Sequence, residues 1–147
     1  MSPAQIRRVT LIALATAAGL WAQAGAQSLD GRFAGTIQCD ALPRQGPLRT
    51  KVTMTVSGGV VRYERQIYHP DGTPSGIFER GQGPVGSDGA VTLKTHMAAP
   101  GYSYDAEYRG RIEGSGARFT GTQFWKIAKE TGTIPRPCTL ELMRVRS

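Results

Sequence analysis

Polar side chains interrupt two stretches of otherwise apolar, alternating residues, and these positions are the best suited to bind a ligand. Arg65 shares an alternating face with Val61 and Tyr63, and Gln123 shares one with Trp125. Burying an arginine is costly unless it gains a counter-charge or hydrogen-bond acceptors. A guanidinium, an amide and aromatic hydroxyls on one interior surface would suit an anionic small molecule. The predicted ligand-binding side chains are Arg65, Gln123, Tyr63, Tyr104, Tyr108 and Trp125.

The charge of this interior depends on a neighbouring segment in which Glu79 and Arg80 are adjacent. Only one of the two can point inward, because successive side chains of a strand face opposite sides. If Ile77 faces inward, Glu79 does so too and supplies a counter-charge for Arg65. If Phe78 faces inward, Arg80 joins Arg65 and the interior becomes strongly cationic. Both orientations stay open, as does the choice between a ligand cavity and a core filled by its own salt bridge and tyrosine hydrogen bonds.

The sequence contains no recognisable catalytic arrangement. Its two histidines are isolated, since His69 lies in a Pro-Asp-Gly turn and His96 falls on a polar strand face. Asp105 and Glu107 share a face, as paired catalytic carboxylates would, but Arg109 lies on that same face. A solvated charged surface explains this pattern better. We therefore expect a protein that is not an enzyme and has no catalytic residues.

Two patterns that would indicate a cofactor or a metal are incomplete. Residues 81–86 read Gly-Gln-Gly-Pro-Val-Gly, which matches the letters of the dinucleotide-binding fingerprint. That fingerprint needs a helix whose N-terminus faces the pyrophosphate, but a Ser-Asp-Gly turn and another strand follow here. Two cysteines and two distant histidines are too few for a typical metal site. We therefore expect neither a cofactor nor a metal.

The elements that carry these residues have a period-two pattern, with turn residues recurring roughly every ten positions. Val52, Met54 and Val56, for example, alternate with polar residues before a Ser-Gly-Gly turn. Eight such segments follow the first 26 residues, and none has the periodicity of a helix. The pattern predicts an all-β fold: a single eight-stranded antiparallel up-and-down barrel within residues 27–147. A two-sheet β-sandwich is the alternative.

The only two cysteines, Cys39 and Cys138, support a closed barrel independently. In an oxidising compartment, an even number of cysteines indicates a disulfide. Cys39 ends the first predicted strand and Cys138 begins the eighth, each on the apolar face of its strand. In a closed antiparallel barrel these two ends are neighbours, so we expect a Cys39–Cys138 bridge to join them.

The first 26 residues have the features of a signal peptide. Arg7 and Arg8 precede an uncharged, largely apolar run over residues 9–20, which is too short to span a bilayer. Residues 24–26, Ala-Gly-Ala, then offer a small-residue cleavage site, so the mature chain would begin at Gln27. We expect a periplasmic or secreted protein without a stable membrane anchor.

The net charge bears on the partners of the mature chain. Cleavage would remove two arginines and no acidic residue, which lowers the formal charge from +7 to +5. A basic protein attracts anionic partners over long distances. Outside the cytoplasm we expect an unknown small molecule or envelope protein as the partner, and no nucleic acid. The oligomeric state stays open.

Short motifs near both ends of the mature chain resemble those of small exported bacterial proteins of unassigned function. They are Gly31-Arg32-Phe33-Ala34-Gly35 with Cys39, then Gly121-Thr122-Gln123-Phe124-Trp125, and the closing Cys138. The first motif also resembles the opening strand of lipocalin and avidin-type barrels. The resemblance to the small exported proteins implies no activity. The resemblance to lipocalin and avidin-type barrels implies a barrel that binds a small molecule.

The alternative function is a loop-mediated interaction protein, such as an inhibitor of an envelope hydrolase or protease. A disulfide-closed barrel would hold its loops rigid for such contacts. The loops concerned are residues 40–49, 69–76 and 129–137. An interior with room for a ligand favours the small-molecule function, whereas a filled interior favours the loops.

Overall fold

The computed structural model describes residues 28–147. Their secondary structure consists of eight β-strands, with no helix in this part of the chain. The predicted signal peptide, residues 1–26, and the predicted first mature residue, Gln27, lie outside the described residues. The strands are β1 (Gly31–Cys39), β2 (Leu48–Ser57), β3 (Val60–Tyr68), β4 (Pro74–Pro84), β5 (Ala90–Ala99), β6 (Tyr102–Ile112), β7 (Gly116–Ile127) and β8 (Ile134–Arg144). In this part of the chain no helix has the length and apolar character needed to cross a membrane.

Each strand pairs antiparallel with the next, and β8 returns to pair with β1, so the eight strands form a closed barrel. This confirms the predicted all-β, up-and-down barrel and excludes the β-sandwich. Buried and exposed residues alternate along the strands. In β5, for example, Val91, Leu93, Thr95 and Met97 are buried and the residues between them are exposed. The alternation follows from the pleat, which points successive side chains into and out of the barrel.

Cys39 and Cys138 form the predicted disulfide, which joins β1 to β8 where the barrel closes. The two cysteines are directly opposite each other in the ladder, and their Cα atoms are 4.1 Å apart. They are 99 residues apart in sequence. Cross-linking so long a segment restricts the unfolded chain, which stabilises the fold by roughly 4–5 kcal/mol in the chain-entropy account. A disulfide also fits an extracellular location.

The barrel has two unlike ends. The lower end carries the connections of two to five residues that join β2 to β3, β4 to β5 and β6 to β7. The upper end carries the other connections, residues 40–47, 69–73, 100–101 and 128–133. The three predicted loops, residues 40–49, 69–76 and 129–137, are all longer than the observed connections, because β2 begins at Leu48, β4 at Pro74 and β8 at Ile134. The predicted polar loop over residues 129–137 is therefore wrong in its second half, which belongs to the strand.

Two ladders stop short of the upper end, and they flank the hairpin formed by β3 and β4. β2 pairs with β3 only over residues 53–57, and the ladder of β4 with β5 covers residues 80–82. β3 and β4 continue to pair with each other as far as Tyr68 and Pro74. The barrel wall is therefore less continuous at the upper end than at the lower end.

Candidate functional site

The interior is divided by height into an apolar lower half, a polar layer at mid-height and an open cavity above. The lower half contains apolar side chains that are almost fully buried. They include Phe33, Val61, Val91, Ile112, Phe119 and Leu142. Removal of this apolar surface from water is the main favourable contribution to the stability of the barrel.

Glu79 lies at the centre of the polar layer and is completely buried. Its Oε2 accepts hydrogen bonds from the Tyr63 hydroxyl at 2.9 Å and from Arg65 Nε at 2.8 Å. Its Oε1 accepts from the Thr95 hydroxyl at 2.6 Å and from the Tyr108 hydroxyl at 2.9 Å. Both carboxylate oxygens are thus paired with two donors each, which stabilises the charge inside the barrel.

β4 therefore has the orientation in which Ile77 and Glu79 face inward. Arg80 points outward and pairs there with Glu64, with 2.8 Å between Nε and Oε2. The alternative in which Arg80 joins Arg65 inside the barrel is excluded. The interior gains a counter-charge from β4 rather than a second cation.

The network extends upward and across the barrel. Arg65 Nη2 donates to the Tyr104 hydroxyl at 2.6 Å. The Tyr108 hydroxyl accepts from Gln123 Nε2 at 3.0 Å, and Gln123 Oε1 accepts from Trp125 Nε1 at 2.9 Å. Within residues 28–147 no buried side-chain nitrogen or oxygen lacks a hydrogen-bond partner. A network whose fully buried atoms are all paired holds each side chain in one orientation.

Gly121 explains how Tyr108 fits into this layer. The two residues are opposite each other in the ladder of β6 with β7. A β-carbon at position 121 would collide with the carbonyl oxygen of Glu107 and with the Tyr108 ring. A larger residue would therefore displace the hydroxyl that donates to Glu79, because only glycine permits this close approach.

Burial and neighbouring charges shift the pKa values of three tyrosines and one arginine of the network. Burial, followed by the negative charge of Glu79, raises the pKa of Tyr63, Tyr104 and Tyr108 above the ordinary tyrosine value. Burial acts to lower the pKa of Arg65, but Tyr104 and Glu79 outweigh it, and the net direction is upward. At neutral pH the three tyrosines therefore stay neutral and Arg65 stays a cation.

A cavity of about 630 Å³ opens above this layer, toward the upper end of the barrel. Four lining side chains belong to the polar layer or contact one of its members, and they form the floor: Arg65, Tyr104, Trp125 and Arg136. Its walls are mainly apolar. They include Leu42, Leu48, Ile67, Met97, Ile127 and Ile134. The volume lies within the range of about 300–1,000 Å³ that is usual for small-molecule sites.

The six residues predicted to bind a ligand are all buried in the barrel, but they divide between the two upper layers. Three of them line the cavity: Arg65, Tyr104 and Trp125. The other three lie in the network beneath it: Tyr63, Tyr108 and Gln123. The interior thus contains both a self-satisfied network and a cavity, at different heights. Binding by these residues stays a prediction.

Arg136 is a candidate binding residue that the sequence pattern does not reveal. It is 1% exposed, and its Nε and Nη2 donate to the backbone carbonyls of Asp40 and Gly46 at 2.6 and 3.1 Å. Its guanidinium carbon lies 5.8 Å from the centre of the Trp125 ring. Burial, and then the positive charge of Arg65, lower its pKa. In the sequence, Arg136 alternates in phase with the later inward-facing residues of β8. The predicted polar loop over residues 129–137 obscures this pattern.

Charged residues on the outer face of β6 form surface pairs. His96 Nδ1 lies 2.7 Å from Asp105 Oδ1, and both side chains are exposed. This hydrogen bond lowers the pKa of Asp105. Glu107 pairs in the same way with Arg109. The two carboxylates that share this face therefore each have a basic partner, as expected of a solvated surface. Among the described residues, no group of three histidine, cysteine, aspartate or glutamate side chains could hold a metal ion.

Comparison with known proteins found no matching family model, no matching curated protein and no matching solved structure. The resemblance to small exported bacterial proteins, and to lipocalin and avidin-type barrels, stays a prediction. The fold and the site together define a closed β-barrel with an internal cavity of the size of a small molecule.

Proposed function

We propose that this chain is an exported, non-catalytic binding protein that holds a small anionic molecule in the cavity at the upper end of the barrel. The floor of this cavity is the observation that carries the proposal. There two buried guanidinium groups, Arg65 and Arg136, lie beneath mainly apolar walls. Guanidinium donors match the oxygens of carboxylate, sulfonate and phosphate groups. Their attraction is stronger inside a barrel than at a surface, because less water screens it.

The network beneath the cavity supports this function because it fixes the binding groups before a ligand arrives. Arg65 is held by Glu79 and Tyr104 at 2.8 and 2.6 Å. Arg136 is held by two backbone carbonyls of the connection between β1 and β2. The disulfide joins β1 to β8 directly beside that connection. A preorganised site loses less conformational entropy on binding, which favours affinity.

Export is supported by two independent features. Residues 1–26 have the composition of a signal peptide. Disulfides persist in oxidising compartments outside the cytoplasm, and the chain forms one between its only two cysteines. A binding protein in such a compartment would meet small molecules of the cell envelope or the medium.

The position of the upper loops makes a loop-mediated interaction the weaker alternative. Leu42, Pro43 and Gln45 from the connection between β1 and β2 line the cavity, and so does Pro70 from the β3–β4 hairpin. Two of the upper loops therefore border the cavity, with Leu42 buried in its wall, although most of their residues are exposed. This placement favours the small-molecule function.

A thermal-shift screen of small organic acids tests the proposal. A compound that binds only the folded state, present at about 100 times its Kd, should raise the free energy of unfolding by about 2.7 kcal/mol. Fluorescence of Trp125, the only tryptophan of residues 28–147, should respond to the same compounds.

The matched control is Thr50→Phe, which places a ring into the cavity from its wall. Compounds that bind in the cavity should lose their effect on this variant while its fold is retained. A screen without hits, or hits that stabilise both proteins equally, would contradict binding in the cavity.

A further inference from the structure

On the basis of the proposed function, we infer that the cavity selects a molecule with one negative charge and an apolar body, and that Arg136 sets this charge. The anionic head group would lie on the floor between Arg65 and Arg136. The apolar body would lie against the walls above it.

The buried charges of the described residues do not balance. Three charged side chains are buried there: Arg65, Glu79 and Arg136. Arg65 and Glu79 form an ion pair at 2.8 Å, so their charges cancel. Arg136 donates to two uncharged carbonyls, and no carboxylate of residues 28–147 forms an ion pair with it. One positive charge therefore remains uncompensated inside the barrel. Such a charge is costly, and one bound anion would compensate it.

The floor also offers hydrogen-bond donors that the protein does not use. Arg65 uses Nε and Nη2 for Glu79 and Tyr104, and Arg136 uses Nε and Nη2 for its two carbonyls. No atom of the described residues accepts from Nη1 of either arginine. No fully buried side-chain nitrogen there lacks a partner, so each Nη1 retains a small accessible area, and both arginines line the cavity. An anion between them would accept from two guanidinium groups at once.

The walls disfavour a second charge. Above the floor the lining side chains include Leu42, Ile67, Ile127 and Ile134. A second anionic group would lose its hydration there without gaining a charged partner. A neutral molecule of the same shape would leave Arg136 uncompensated. The site therefore favours a monoanion over both its neutral and its dianionic analogue.

Arg136 also has a structural use that an experiment must separate from ligand binding. Its contacts with the carbonyls of Asp40 and Gly46 hold the connection between β1 and β2 at the cavity rim. Replacing Arg136 could therefore loosen that connection. Comparing head groups on the unaltered protein avoids this ambiguity, because the ligand changes and the protein does not.

The first experiment compares such head groups. Anilinonaphthalene sulfonate and N-phenylnaphthylamine share one ring system and differ by a sulfonate, and both fluoresce in apolar sites. We expect the sulfonate to bind at least about tenfold more tightly, because its oxygens would accept charge-assisted hydrogen bonds. Among decanoate, decanol and octylmalonate at mildly alkaline pH, decanoate should displace the dye at the lowest concentration. A neutral or dianionic compound that binds as tightly as its monoanionic analogue would overturn the inference.

The second experiment assigns the charge to Arg136. Arg136→Met should remove most of the preference for the sulfonate dye over the neutral dye. Arg62→Met, on the exposed outer face of β3, removes the same charge and should leave the preference unchanged. A preference that survives Arg136→Met in a folded protein would overturn the assignment.

The outcomes separate the ligand class from the proposed function. If both dyes bind equally well and Thr50→Phe blocks both, the inferred ligand class is wrong and the cavity is still a binding site. If neither dye binds and no organic acid raises the free energy of unfolding, the proposed function itself is wrong.

Discussion

Two glutamate–arginine pairs with the same 2.8 Å separation lie back to back on the β3–β4 hairpin. Glu64 and Arg80 pair on the outside of the barrel, and their neighbours Arg65 and Glu79 pair inside it. The outer side chains are 53% and 63% exposed, whereas the inner ones are 5% and 0% exposed. The residue types and the distance are the same in both pairs. A difference in their contributions to the free energy of unfolding therefore comes from burial.

The outer pair contributes little to stability, because water and salt screen it. The inner pair has lost its hydration. Glu79 accepts further hydrogen bonds from Tyr63, Thr95 and Tyr108, and these offset the cost of that loss. Arg65 and Glu79 thus each have a buried partner of opposite charge. Arg136 is the exception, since its partners are uncharged, and it lies at the cavity.

The substitutions Glu79→Gln and Glu64→Gln measure the difference between the two pairs. Each removes one negative charge and keeps the shape of the side chain. Glu79→Gln leaves Arg65 buried without a counter-charge and should lower the free energy of unfolding by about 3–5 kcal/mol. Glu64→Gln removes a screened surface pair and should lower it by about 0–1 kcal/mol. Denaturant unfolding gives both values, and equal losses would contradict the role assigned to burial.

The buried tyrosines of the network should also affect the free energy of unfolding, each by less than Glu79→Gln does. Burial, and then Glu79, raises the pKa of the three network tyrosines, Tyr63, Tyr104 and Tyr108. A group whose pKa is higher in the folded state contributes stability that is fully present below its unfolded pKa and is lost as the pH rises. Above about pH 10 the free energy of unfolding should therefore fall by up to about 1.4 kcal/mol per pH unit for each of them.

Ultraviolet titration of tyrosinate checks this expectation. The three network hydroxyls should ionise only as the barrel unfolds, in one steep step. Protein unfolded in guanidinium is the control, in which all five tyrosines should titrate together. Ionisation of all five before any loss of the β-sheet circular dichroism signal would show that the network is open to solvent.

The closed barrel and its disulfide can be predicted from the sequence because both depend on local patterns. Period-two alternation determines which face of each strand is buried. It correctly places Arg65 and Gln123 inside the barrel. Cys39 and Cys138 mark the two strand ends that meet when the barrel closes.

β4 and β8 show where such prediction fails. In β4, Glu79 and Arg80 lie in a glycine-rich segment with too few apolar residues to fix which face is buried. In β8, Pro135 and Pro137 are typical of a loop, but they fit the strand because β8 pairs there with β7, and its ladder to β1 begins beyond them. These prolines conceal Arg136 between them. The cavity itself depends on how the upper connections pack, which no strand pattern encodes.

We propose that the upper half of the barrel is a ligand cavity, whereas the lower half is an apolar core. Methyl chemical-shift mapping by NMR during titration with anilinonaphthalene sulfonate tests it most directly, because each half has its own methyl groups. We predict ring-current shifts at Ile67, Met97 and Ile134, which line the cavity, and unchanged signals from Val61 and Val91 in the lower half. Shifts centred on Val61 and Val91, or confined to outward-facing residues, would contradict this account.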